Sequence, residues 1–258
     1  MSLPKPYAEG KGWTLYHGDC LAILPHLPKV DAVVTDPPYG VSERTNRKSA
    51  GRGKLAECND FPPVHGDDKP FDPSAWVAFD RVCLWGGNYY ANRLPFVSKW
   101  LIWDKRDGMN SNDNADCEIA WTNAPGPARL IHHRWNGMIK ASEQDERRVH
   151  PTQKPIALME WCIEQVGVPH EGVVLDPYMG GGATGVACLK TGRSFIGIEI
   201  DETYCEIAAK RLRRAEADRG ELLPMAMMGE QVPGEMGVHR SRPLGHCIPD
   251  PDQEPALF

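Results

Sequence analysis

The chain has 258 residues, 41% of them apolar, and a formal net charge of −6, which favours one α/β domain with a tail over two full domains. No apolar run reaches the roughly eighteen residues of a membrane span, and the first twenty residues hold no basic-then-apolar signal pattern, so a cytoplasmic protein with no membrane partner is expected. The acidic balance does not advertise a nucleic-acid binder, so any such role must rest on local basic patches.

In chain order, strands are expected at Trp13–Tyr16, Asp31–Thr35, Arg81–Trp85, Trp100–Trp103, Glu118–Trp121, Gly172–Leu175 and Ser194–Glu199. Helices fall mainly in the second half. One starts after Pro155 with Ile156, Met159, Ile163 and Val166 on one face, one covers Thr184–Lys190, and one covers Glu202–Arg214 with Ile207, Ala208 and Leu212 inward. All three read as amphipathic. The alternation predicts a doubly wound, mostly parallel seven-stranded sheet with helices on both faces. Two stretches break the rhythm: residues 42–72, polar and rich in Gly and Pro, and residues 105–150, with one convincing strand. A domain over 1–219 and a loosely structured tail over 220–258 follow. The eight cysteines include no C-x-x-C pair and several sit in apolar runs, which points to reduced buried thiols and implies no metal.

The stretch "VVTDPPYG", residues 33–40, drives an apolar strand into an acid, two prolines, an aromatic ring and a glycine. An acid at the carboxyl end of a sheet strand points into the ligand crevice. The prolines remove two backbone donors and fix φ, leaving carbonyls free to accept from a ligand, and Tyr39 offers a flat surface beside them. Acid, carbonyl and ring together suit an aromatic amine: two acceptors gripping its hydrogens favour a tetrahedral nitrogen with a lone pair free to attack. Alone, the stretch could also be a strand terminator.

The second informative stretch is "GVVLDPYMGGGATGVACLKTGRSFIGIEID", residues 172–201. A strand runs into Asp176, glycines at 180, 181, 182 and 185 let the backbone pass close to a ligand before a helix, and a second strand ends in Glu199 and Asp201. This is the nucleotide-cleft layout of a doubly wound fold, with an acid placed for ribose hydroxyls. Asp176 ahead of the glycines would repel a pyrophosphate but suits a ligand carrying ribose and a cationic amino or sulfonium group.

"TDPPYG" (35–40) and "LDPYMGGGATG" (175–185) resemble the amino-group DNA methyltransferases, which use S-adenosylmethionine and act on adenine N6 or cytosine N4. The likeness continues through "HGDCLAILPHL", "LWGGNYYANRLP", "WLIWDKR" and "HPTQKPIALMEWCIEQV", covering most of residues 12–214. The order, catalytic turn before cofactor turn, resembles the permuted beta group, and phage or prokaryotic enzymes of restriction-modification type are the nearest likeness. The resemblance implies a Rossmann-like class I methyltransferase fold. Asp36, Pro37, Pro38 and Tyr39 would form the target-base turn, with Asp36 and the Pro37 carbonyl on the amino group. Asp176, Tyr178, Gly180, Gly182 and Thr184 would line S-adenosylmethionine, Glu199 would take its ribose, Asp19 would meet its adenine, and Lys154 would hold its methionine carboxylate. The family's usual Phe-x-Gly-Ser-Gly turn here reads Tyr178-Met179-Gly180-Gly181-Gly182, which removes one serine hydroxyl and leaves the backbone path.

Several of these residues have plainer explanations. Asp19 alone reads equally as a helix cap, and Lys154 alone as a solvated lysine. Trp103, Trp121 and Trp161 read as core. His132, His133 and His150 have no acid at readable spacing, so a catalytic imidazole is not expected. Double-stranded DNA is the implied partner, with the base flipped out of the stack. The segment 42–54 carries Arg44, Arg47, Lys48, Arg52 and Lys54 against one acid and would grip phosphates. Residues 105–150, with Arg129, Arg134, Lys140, Arg147 and Arg148, would read the target, and their small number fits a short site or a homodimer. Asp36 at the head of the turn points to adenine, since a serine there is the commoner pattern for cytosine. Cytosine N4, RNA or protein acceptors, and an inactive relative remain alternatives.

Overall fold

Alternation assigns the two faces of the sheet. Every residue of Ala32–Thr35 and Val82–Trp85 is buried. Ala32, Val34, Cys83 and Trp85 join one apolar cluster, while Val33, Val82 and Leu84 join another, as expected of strands covered on both sides. The computed structural model describes residues 3–41, 64–108, 115–136, 139–144 and 149–227. In it these strands belong to one nine-stranded sheet.

In chain order the elements begin with β1 (Ala8–Gly10), β2 (Trp13–His17), α1 (Cys20–Ile23), β3 (Ala32–Thr35) and β4 (Val82–Trp85). Then come β5 (Trp100–Asp104), β6 (Cys117–Thr122), β7 (Arg129–His132) and a separate small hairpin, β8 (Trp135–Asn136) with β9 (Ile139–Lys140). The chain continues with α2 (Ile156–Gln165), β10 (Val173–Asp176), α3 (Ala183–Lys190), β11 (Ser194–Glu199) and α4 (Glu202–Met227). The spatial order is β1-β2-β11-β10-β3-β4-β6-β5-β7. Strands β2, β11, β10, β3 and β4 run parallel, whereas β1 and β6 run against their neighbours.

All seven expected strands lie in this sheet, and β1 and β7 extend its edges. Strand β7 was hidden because it is a half-solvated edge: Arg129, Leu130 and His132 are exposed, so no apolar run marks it. Residues 105–150 therefore hold β6, β7 and the hairpin, not one strand.

The three long helices pack on one face of the sheet. Ile156, Met159, Ile163 and Val166 are buried as their spacing requires. Helix α3, wedged between α2 and α4, is buried at every residue from Ala183 to Leu189 and so is not amphipathic. A Cβ at Gly185 would stand 2.6 Å from Leu212 and from Phe195, so that glycine serves helix packing and not approach to a ligand. Helix α4 passes Arg214 and continues to Met227, where a loose tail was expected from 220. Ala215 is buried, and Glu216 accepts from the Trp13 indole at 2.8 Å and the Lys11 amide at 2.9 Å, tying the added turns to the β1–β2 hairpin.

The opposite face differs from the expected helical layer. Among the described residues it is covered by α1, short 3-10 turns and the residues around Phe71, Trp76 and Tyr90, whose rings pack there. Trp103 and Trp121 are core residues, and Trp161 packs half-buried against the helical cluster. Cys20, Cys83, Cys162, Cys188 and Cys205 are buried free thiols. No helix among the described residues is long and apolar enough to cross a membrane. Strand β3 leads to β4 on one side and its neighbour β10 leads to β11 on the other, so the crevice at their carboxyl ends is the topological switch point.

Candidate active site

Strand β3 delivers Asp36 to the rim of that crevice. Its Oδ1 accepts from the Tyr39 hydroxyl, and its Oδ2 accepts from Lys154 Nζ at 2.6 Å. The Tyr39 ring stacks on Tyr89, with centroids 5.1 Å apart and planes 15° apart. Gly86, at φ +74°, makes room for it, because a Cβ there would overlap the Tyr39 ring. The far end of the turn is fixed by Asp67, whose Oδ1 accepts from the amides of Gly40 at 2.8 Å and Val41 at 3.2 Å. Gly40 adopts φ +79° against the Lys69 carbonyl, a place only glycine fits.

Strand β10 delivers the second Asp-Pro turn. Both oxygens of Asp176 are occupied within the protein: Oδ1 accepts from Thr35 Oγ1 at 2.6 Å and the Tyr178 amide at 3.1 Å, and Oδ2 accepts from Thr184 Oγ1 at 2.6 Å. Burial raises its carboxyl to about 6, against the opposing pull of those donors. Beyond it, Gly180 (φ +50°) donates to Glu199 Oε2 at 2.7 Å, while Glu199 Oε1 accepts from the amides of Ile200 and Asp201. Gly182, at φ +77°, opens α3 against Ala208, where a Cβ would come within 3.0 Å.

Between the two turns lies a cleft of about 330 Å³. Gly18, Asp19, Tyr178, Gly180, Glu199 and Ile200 line one end, and Asp36, Pro37, Pro38 and Tyr39 line the other. Asp19 caps α1, accepting from the Leu21 amide at 2.8 Å, and also lines the cleft. Phe71, edge-on to both Tyr178 and Tyr90, forms an apolar wall. The mixture of acceptors, bare backbone and rings has the size and polarity of a nucleoside site.

Lys154 stands apart from that pattern. Its buried ammonium lies between Asp36 Oδ2 and Glu118 Oε2, at 2.6 and 3.0 Å, with the Tyr39 oxygen at 3.3 Å. Glu118 in turn pairs with Lys105 at 2.9 Å. Burial opposes the charge on Lys154, but Asp36 and Glu118 more than offset this and hold its value above the ordinary lysine range. Burial likewise raises Glu118, and Lys154 and Lys105 reverse this and bring it down to about 2. For Asp36, burial wins: its carboxyl is raised, Lys154 pulling down and Glu118 pushing up.

The structure thus gathers Asp19, Asp36, Pro37, Pro38, Tyr39, Tyr178, Gly180 and Glu199 around one cleft. Asp176 and Thr184 sit behind the glycine turn, bonded to each other, and with Gly182 are off the wall of this cleft. Lys154 pairs with Asp36 and also lines a small hollow beside Tyr178, Gly180 and Gly181 of the glycine turn. Arg44, Arg47, Lys48, Arg52, Lys54, Arg147 and Arg148 lie outside the described residues. His132 Nδ1 has an acid neighbour after all, Asp104 Oδ2 at 2.9 Å, but that pair is on β5 and β7 and not in the cleft. Asp67, Phe71, Glu118 and Lys105 are the residues sequence reasoning missed. Only "WDKR" and the charge within "DCEIAW" hinted at the last two, because nothing in linear spacing pairs a strand end with a loop lysine.

The family profile N6_N4_Mtase, described as DNA methylase, matches residues 127–210. Type II methyltransferase M.ScaI of Streptomyces caespitosus is 28% identical over 268 residues, spanning 84% of this chain and 86% of its own. The crystal structure of the M1.HpyAVI–SAM complex superposes with a TM-score of 0.52 at 26% identity, covering 78% of this chain and 98% of that one. The PvuII DNA methyltransferase, described as cytosine-N4-specific, shares the fold with a TM-score of 0.53 at 15% identity, over 85% and 95% of the two chains. With two Asp-Pro turns meeting at the switch point, these likenesses make the chain similar to the N6/N4 amino DNA methyltransferases.

Proposed function

We propose that the protein transfers the methyl group of S-adenosylmethionine to the exocyclic N6 amino group of an adenine flipped out of double-stranded DNA. The observation that carries this reading is the placement of the Asp36 turn at one end of a nucleoside-sized cleft whose other end is built from Gly180, Glu199 and Asp19. Bound there, S-adenosylmethionine supplies a methyl group on a sulfonium centre. Glu199 keeps lone pairs for a ribose diol, Tyr178 and Ile200 offer apolar surface, and the Gly180 backbone allows close approach. The M1.HpyAVI complex with SAM supports this choice of cofactor.

At the other end, Asp36 Oδ1 and the Pro37 carbonyl would accept the two amino hydrogens, bringing the nitrogen toward the tetrahedral geometry of a nucleophile. The Tyr39 hydroxyl now occupies Oδ1, so an entering amine has to displace it. Tyr39 then provides the stacking face and Tyr89 its backing. Once the nitrogen has gained a methyl group it carries a surplus proton, which the Asp36 carboxylate is placed to accept. Hydrogen bonds to an ionised acceptor contribute about 1.5–3 kcal/mol each, and holding the base in place can contribute more.

The choice of adenine rests on an aspartate heading the turn. Cytosine N4 is the second reading, favoured by the fold shared with the cytosine-N4-specific PvuII enzyme. Incubation with methyl-labelled S-adenosylmethionine and unmethylated duplex DNA, followed by digestion and mass spectrometry, decides between them. Labelled N6-methyladenine is expected, and labelled N4-methylcytosine alone would replace adenine by cytosine. The basic residues Arg44, Arg47, Lys48, Arg52 and Lys54 are proposed, on charge, to contact phosphates, with residues 105–150 reading the target. Replacing Lys48 and Arg52 by alanine should flatten the dependence of DNA affinity on salt by up to about two units of log–log slope.

A further inference from the structure

Four charged side chains from four separate segments converge beside the target-base turn: Asp36 after β3, Lys105 after β5, Glu118 on β6 and Lys154 ahead of α2. Their formal charges cancel. The antiparallel direction of β6 explains the meeting, because that strand begins where β4 and β5 end and so offers Glu118 to the same rim as Asp36. The ammonium of Lys154 is shared between two carboxylates, and one of them is the acceptor the proposed reaction uses.

From this geometry we infer that Glu118 is a positioning residue for methyl transfer: by sharing the Lys154 ammonium it limits that cation's hold on Asp36 Oδ2. Lys154 favours the carboxylate form of Asp36, and its division with Glu118 leaves that carboxylate freer to accept from an entering amine. Lys105 fixes the other oxygen of Glu118 and keeps its carboxylate turned toward Lys154. A buried carboxylate gripped by an undivided ammonium is a poorer acceptor for a third group, whereas one with no cation would take up a proton. The inference rests on the reading of Asp36 given above.

Glu118→Gln keeps the shape and removes the charge. With Lys154 no longer divided, the titration of Asp36 should move to lower pH. Lys105, Tyr39, Tyr90, Cys83 and Asp176, the other polar groups around this cluster, are unchanged. Carbon-13 carboxyl NMR of Asp36 reads that shift in the full chain without any substrate. In the transfer assay kcat should fall about tenfold or more, a loss of about 1.4 kcal/mol of transition-state stabilisation. The acid limb of kcat/KM should move down with the titration, and affinity for S-adenosylmethionine should stay within twofold. Glu118→Asp, which restores the charge, should recover part of kcat and of the limb position.

An unmoved Asp36 titration in Glu118→Gln would overturn the inference. So would a lower kcat with an unmoved acid limb, accompanied by a lower melting temperature, since that marks a role in folding alone. A shifted titration in a protein whose wild type labels no base would leave the charge sharing in place and remove the methylation reading.

Discussion

Two turns with the same opening, Asp-Pro, stand side by side at the ends of β3 and β10, and their acids have opposite surroundings. Asp36 faces a buried cation, a phenol and the open cleft. Asp176 faces two threonine hydroxyls and an amide, with no cation bonded to it among the described residues and little exposure. Donors without charge can satisfy a carboxylate's lone pairs, but they do not neutralise it, and burial lifts Asp176 to about 6. The dipeptide is thus no guide to surroundings: one acid faces the open cleft, and the other ties β3, β10 and α3 together beneath the glycine turn.

Removing each acid in turn tests that contrast. Asp36→Ala should lower methyl transfer about a thousandfold, in line with loss of a group aimed at a reacting centre, and leave cofactor affinity within a fewfold. Turnover close to wild type would refute its role. Asp176→Asn should act on stability through pH. Because its folded value lies above the unfolded one of about 4, folding is favoured at low pH and loses about 3 kcal/mol as pH rises from 4 past 6. In urea unfolding, the gap between Asn variant and wild type should move toward the variant by that amount between pH 4 and 7. Parallel profiles would mean that Asp176 titrates normally.

The backbone of both turns was legible in the sequence. Val33-Val34-Thr35 and Val173-Val174-Leu175 are β-branched or apolar runs ending in Asp-Pro, the pattern that buried parallel strands favour. The sequence also marked Glu199 and Gly180 through the strand–glycine–helix–strand spacing. What it hid were partners set by tertiary neighbours. The pairing of Lys154 with Asp36 and Glu118 was not legible, because a motif says which residues matter and not which neighbours they meet. Asp67 and Glu118 carried no motif at all, since each acts across a strand or loop boundary. Strand β7 was lost because edge strands have no buried face on one side to write an apolar run.

The glycines show the same division. Gly86 was part of a recognised stretch, yet its task is visible only against the Tyr39 ring. Gly86→Ala places a methyl group where that ring lies and adds backbone strain at φ +74°. Tyr39 should be pushed off its stack with Tyr89, and transfer should fall about a hundredfold, the scale of an ångström-level misplacement. The fold need not suffer to the same degree, so the check is kcat measured beside the melting temperature. A melting loss with unchanged kcat would place Gly86 in the core and not in the site.

The smallest expected effect probes the uncharged turn most finely. Thr184→Val keeps the shape of the side chain and deletes the hydroxyl that donates to Asp176 Oδ2 at 2.6 Å. That bond pulls the Asp176 value down, so its loss should push the value further up and extend to higher pH the range over which stability falls. The penalty should grow with ionisation, from about 1 kcal/mol at pH 5, where the partner is mostly a neutral acid, to about 2 kcal/mol at pH 8, where it is a carboxylate. Urea midpoints for the two proteins at both pH values give the comparison. A penalty that does not change with pH would mean that Thr184 contributes packing alone, and that the burial of Asp176 is balanced chiefly by Thr35 and the Tyr178 amide.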